Sequence, residues 1–195
     1  MFTQASLPLG PSWDEVRRLL AMTESNRPVD IRDRAILMLL AVYGLRAGEV
    51  RRLRLDDVNW ERELLTVVSS KSQRPRTYPL IRSVGDAILR YLREVRPPSP
   101  QRELFLTLRA PFQPLWNALW KLVARRLRSL DVSIPHYGPH ALRHSCATHL
   151  LAEGLSLKEI GDHLGHVDPD TTRIYAKVDI NGLRQVAEFD LGGLQ

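Results

Sequence analysis

Residues 140–151 read His-Ala-Leu-Arg-His-Ser-Cys-Ala-Thr-His-Leu-Leu. Leu142, Ala147, Leu150 and Leu151 supply an apolar face, and the spacing predicts a helix over His140–Glu153. His140 and Arg143 are three residues apart, so one helical turn presents both to the same point. A guanidinium forks onto the non-bridging oxygens of a phosphodiester while an imidazole donates or accepts beside it. An ordinary polar surface helix is the competing reading. His140, His144 and His149 also raise the idea of a metal site. However, there is no H-E-x-x-H pattern, and no carboxylate joins them before Glu153.

Three further stretches bear on the same chemistry. Leu164-Gly165-His166 is followed nine residues later by Tyr175, where Gly165 allows a tight turn that exposes His166 and Asp170 can cap a helix carrying the tyrosine. A lone tyrosine on an apolar helix is usually a core residue. Upstream, Tyr43-Gly-Leu-Arg46-Ala-Gly-Glu49 places an arginine between two glycines at a helix junction, at a helix N-terminus suited to an anion and within reach of an ion pair with Glu49. A plain helix–helix turn with a surface arginine fits those residues as well. Lys71 sits at the tip of a hairpin loop that also holds Arg74 and Arg76. It can reach a leaving oxygen, or simply be solvated.

The rest of the chain frames these stretches. Ser12 and Glu15 form a capping box that starts a helix over about Trp13–Thr23. A second helix opens at Pro28, carries Ile31, Ala35, Leu39 and Val42, and stops at Gly44. A short one covers Ala47–Leu53. Val58–Trp60, Leu64–Val68 and Arg76–Leu80 read as strands whose tight connections require antiparallel pairing. An amphipathic segment from Val84 to Val95 ends at Pro97-Pro98-Ser99-Pro100, and Leu104–Thr107 reads as extended. Leu115–Leu130 reads as a helix with Leu115, Leu119, Leu122 and Leu127 inward and Lys121, Arg125 and Arg128 outward. Helices are also expected over Leu157–Leu164, Thr171–Lys177 and Asn181–Ala187. The fold class is α+β and mainly α-helical, with a small antiparallel three-stranded sheet in a single domain.

Composition narrows the partner. The chain has 195 residues, a formal net charge of +6 and 44% hydrophobic residues, so it has a core and an excess of arginine-borne charge suited to nucleic acid. Its single cysteine, Cys146, rules out an internal disulfide and is expected to pack. Met1–Gly10 shows no signal-peptide pattern, and no run of 18 apolar residues is present. The expected location is therefore cytoplasmic, associated with the nucleoid when bound to DNA.

Taken together and in order, the four stretches resemble the tyrosine recombinase, or phage integrase, family over about residues 12–188. The family's T-G-x-R-x-x-E box is similar to the Arg46 stretch. Its K-G-x-K-x-R-x-x-P-L hairpin is similar to Lys71–Leu80, with Ser72 where glycine is common and Pro75 inserted. Its H-x-L-R-H-S-x-A-T-H box matches His140–His149, and its L-G-H box with a following tyrosine matches Gly165, His166 and Tyr175. The resemblance implies a catalytic domain lacking the usual N-terminal core-binding domain, acting in site-specific recombination of the integrase or invertase type. It implies that Tyr175 attacks a DNA phosphorus to give a 3′-phosphotyrosine, with Arg46 and Arg143 on the non-bridging oxygens and Lys71 protonating the leaving 5′ oxygen. His140 would assist proton transfer and His166 would bond the phosphate, with no metal and no cofactor. Arg74, Arg76, Lys121 and Arg125 are candidate DNA contacts. The implied partners are double-stranded DNA, further copies of the chain in a tetramer, and accessory DNA-binding proteins. A non-catalytic DNA-binding regulator, a type IB topoisomerase-like relaxation activity and a metal-dependent nuclease are the alternatives.

Overall fold

A computed structural model describes residues 10–69, 75–116 and 118–165 of the chain. Lys71, Arg74, His166, Tyr175, the Ser70–Arg74 turn and the two helices expected after residue 170 lie outside the described residues.

Helix α2 (Pro28–Val42) is the centre of the molecule. It starts with proline at its first turn, where a missing N–H costs nothing. From Ala35 to Val42 every side chain is buried, so this half of the helix is apolar all round and enclosed on every side. The helix's two buried acids are paired with basic and polar side chains. Asp33 accepts from Arg32, Arg125 and Arg126, and Asp30 from Ser25 and Arg126. Helix α1 (Trp13–Ala21) begins with the expected Ser12–Glu15 capping box. Helix α4 (Arg82–Glu94) lays Val84, Ala87, Ile88 and Tyr91 against α2. Helix α5 (Ala118–Arg128) packs on the short α3 (Ala47–Arg52) and on α6 (Pro139–Ala152), the helix read first from the sequence.

The sheet is antiparallel in the order β1 (Val58–Asn59), β2 (Leu64–Val68), β3 (Pro75–Pro79). Its register pairs Leu65 with Tyr78 and Val67 with Arg76. Because side chains alternate along a strand, these four residues share the inner face and are buried. The Leu104–Thr107 stretch forms no strand: it holds one isolated bridge, Leu106 with Pro114, and Glu103 just before it bridges Arg54. Helix α5 starts three residues later than Leu115, which is itself buried.

Among the described residues, two apolar clusters result. The large one joins α1, α2, α4, α5, the sheet and the first turn of α6. The small one joins the far half of α6, through Cys146 and Leu150, to α7 (Leu157–Leu164), through Ile160 and Leu164. Cys146 packs as expected, with Sγ 3.6 Å from the Val42 carbonyl. The chain just before α1 is fastened to α6 as well: Ser145 donates its hydroxyl to the Pro11 carbonyl, and Trp13 stacks on His149 at 4.0 Å. Among the described residues, no helix is long and apolar enough to cross a membrane.

Candidate active site

Gly44 closes α2 in the left-handed conformation, at φ +60°, and turns the chain into α3. Arg46 is the N-cap of α3, and Glu49 reaches back to it. One oxygen of Glu49 accepts the Arg46 backbone N–H at 2.8 Å, and the other accepts Arg46 Nη1 at 3.3 Å. The ion pair anticipated from the sequence is present. Glu49 is almost fully buried, while the Arg46 side chain keeps 30% of its exposure. The arginine head is thus held at its base and open at its tip.

Arg143 enters from the second turn of α6 and is buried. Its Nη1 donates to the Gly44 carbonyl and its Nη2 to the Leu164 carbonyl at 2.7 Å. Burial, and then the nearby Arg46 charge, push its pKa down to about 10, which still leaves it charged at neutral pH. The charges of Arg46, Arg76, Glu49 and Arg143 all act on one another here. Three guanidiniums therefore face one carboxylate. Backbone carbonyls fix the direction of Arg143 without cancelling its charge, and one carboxylate cannot balance three guanidiniums, so the cluster favours an anion.

His140 lies one turn before Arg143, on the exposed side of α6. It lines an open depression of about 590 Å³ with Trp120, Arg128, His136, Tyr137 and His144. Burial lowers the pKa of His144, helped by the charges of His140, Arg143 and His136. The structure therefore gathers Arg46 and Arg143 around Glu49 and sets His140 on the surface of the same helix as Arg143. Among the described residues, no group of three or more His, Cys, Asp or Glu side chains is placed to hold a metal ion.

The candidate DNA contacts divide. Lys121 is exposed on α5, and Arg125 keeps 62% of its side-chain exposure while donating to Asp33. Arg76, expected from the sequence as a DNA contact, is placed differently from the other two. It lies on the inner face of β3, is 8% exposed, and donates to Glu49 at 2.6 Å. A basic residue beside a polar turn looks solvated in one dimension. The period-2 alternation that also buries Tyr78 is the signal that placed it inside. The same alternation could have found Tyr78, whose hydroxyl donates to the His163 carbonyl at 2.8 Å.

The profile of the phage integrase family matches residues 12–181. A Sinorhizobium fredii protein, y4gC, provisionally named integrase/recombinase, is 43% identical over 91% of the chain and 92% of its own length. Tyrosine recombinase XerA of Pyrococcus horikoshii is 34% identical over 94% of the chain, which spans 61% of that relative. The crystal structure of a XerA recombinase superposes with a TM-score of 0.71 at 27% identity, covering 94% of this chain and 65% of the other. The chain belongs to the phage integrase family, the tyrosine recombinases.

Proposed function

We propose that this chain cuts and rejoins double-stranded DNA at specific sites through a phosphotyrosine bond. The observation that carries the reading is the Arg46–Glu49–Arg143 cluster, a fixed and partly open excess of positive charge built from the family's own boxes. Such preorganised donors stabilise charge that builds on phosphate oxygens in a transition state. In the proposed step the Tyr175 oxygen bonds to phosphorus and the bond to the 5′ oxygen breaks. Lys71 supplies the proton that the leaving oxygen needs, His140 takes the proton that the tyrosine gives up, and His166 assists at the phosphate. The phosphotyrosine keeps the energy of the broken bond, so a 5′ hydroxyl from a partner strand reverses the step without ATP. Lys121 and Arg125 on α5 supply contacts to the DNA backbone. Assembly as a tetramer on DNA and action in the cytoplasm on nucleoid DNA complete the reading.

A suicide DNA substrate tests it. Wild type should give a covalent adduct on a denaturing gel, unaffected by excess EDTA, and Tyr175→Phe should give none. Arg143→Gln should lower the adduct rate by about 100-fold or more. An adduct that persists in Tyr175→Phe, or one that EDTA abolishes, overturns the proposal.

A further inference from the structure

Arg76 meets three parts of the site at once. Its Nη2 donates to the Glu49 oxygen that also accepts from Arg46. Its Nη1 points to the His163 carbonyl at 3.5 Å, and its guanidinium lies 5.6 Å from the centre of the Tyr78 ring. Gly165 passes so close that a Cβ there would lie 1.9 Å from Arg76 Nη1. Tyr78, two residues along β3, holds the same His163 carbonyl, and Arg143 holds the next one, Leu164. A helix ends with unpaired carbonyls and the negative end of its dipole. Here two guanidiniums and a phenol meet that end of α7.

The placement in the chain is as telling as the contacts. Arg76 follows the 71–74 segment that carries Lys71, and α7 ends at Leu164, directly ahead of His166. Glu49 fixes Arg46 on α3. A single planar fork thus joins the strand after Lys71, the holder of Arg46, and the helix end before His166. Lysine has the charge but not the fork, and cannot hold Glu49 and the His163 carbonyl together.

We infer that Arg76 is a positioning residue for DNA strand cleavage, acting through Glu49 and the carbonyl end of α7 and not by touching DNA. The inference rests on the reading of the chain as a strand-cleaving recombinase. Misplacing a reacting group by a fraction of an ångström slows a chemical step without weakening substrate binding.

The experiment uses the full chain and a suicide DNA duplex. Adduct formation is followed in single turnover at protein concentrations that saturate the DNA, with DNA affinity and thermal melting measured alongside. Arg76→Lys should bind DNA within about twofold of wild type yet form the adduct about tenfold or more slowly. Tyr78→Phe, which keeps the ring and loses one donor, should be slower by about threefold. Arg76→Met strands Glu49; if it does not fold, the other two variants decide. Wild-type rates in both Arg76→Lys and Tyr78→Phe overturn the inference. So does a loss of DNA affinity with a normal rate at saturation, which would make Arg76 a DNA contact, or a rate defect that disappears on cooling, which would make it only a stability residue. A wild type that forms no Tyr175-dependent adduct sinks the recombinase reading itself. A normal wild-type adduct with unaffected variants sinks the positioning role alone.

Discussion

Replacing Glu49 with alanine should destabilise the fold more than most single changes. The carboxylate is 1% exposed and accepts from the Arg46 backbone, the Arg46 head and the Arg76 head. Its removal leaves the Arg76 guanidinium, 9% exposed, without its counter-charge. Breaking one side of a buried pair costs about 3–5 kcal/mol, mostly because the partner's charge stays buried. The Arg46 contact adds little, since that side chain is 30% exposed and solvent screens it. For a chain of this size, each kcal/mol lowers the melting temperature by about 2–4 °C, so the expected drop is about 6–20 °C. Circular dichroism melts measure it. The double variant Glu49→Ala with Arg76→Met tests the cause, because removing the stranded charge and filling the space should restore most of the loss. A Glu49→Ala melt within about 2 °C of wild type would refute the reasoning. So would a double variant less stable than the single one.

Two further outcomes follow from buried groups. Burial, then the Arg76 and Arg143 charges, hold the His163 pKa down at about 4, against an ordinary value of 6.5. Between those values the unfolded chain takes up a proton that the folded one refuses, so stability falls as pH drops from 6.5 toward 4, by on the order of 3 kcal/mol. His144 and His149, also lowered chiefly by burial, act in the same direction. Melting temperature against pH should therefore slope less in His163→Gln than in wild type, and equal slopes would contradict this account. At Gly44 a Cβ would lie 2.3 Å from Leu164 Cδ2 on a backbone already at φ +60°, whereas at Gly154, φ +93°, it would meet nothing within 4 Å. Gly44→Ala should cost about 2–4 kcal/mol and Gly154→Ala about 1 kcal/mol in denaturant titrations. The reverse ranking would show that the close approach of α7 is not what fixes Gly44.

Local signals were the readable ones. The bounds of α7 match the sequence reading because Ser156 and Glu159 close a capping box at one end and Gly165 takes the left-handed cap at the other. The start of α1 follows from Ser12 and Glu15 in the same way. The start of α5 was misread because Leu115 is apolar for a tertiary reason: it fills the core after the Leu106–Pro114 bridge, ahead of the helix. Within the site, Arg46, Glu49, His140 and Arg143 stood out because their boxes are contiguous. Arg76 stood out only as a basic residue for DNA, and Tyr78 not at all, because their partners Glu49 and His163 lie 27 and 85 residues away. A strand pattern states which side chains face inward, but not what waits for them there.

The smallness of the second apolar cluster gives the site a property of its own. Among the described residues, α7 contributes Ile160 and Leu164 to that cluster, and its carbonyl end hangs on Arg76, Tyr78 and Arg143. Asp162 and His163 are buried as well, so the hold of α7 on the fold is concentrated toward its C-terminal end, and local opening of one element takes less free energy than global unfolding. When α7 lifts away, Arg143 loses a carbonyl partner and the guanidinium cluster loses its alignment while α2 and the main core stay intact. Readiness for chemistry is then a local equilibrium constant, separate from the stability of the fold, and it is set by how tightly one eight-residue helix is held at its last turn.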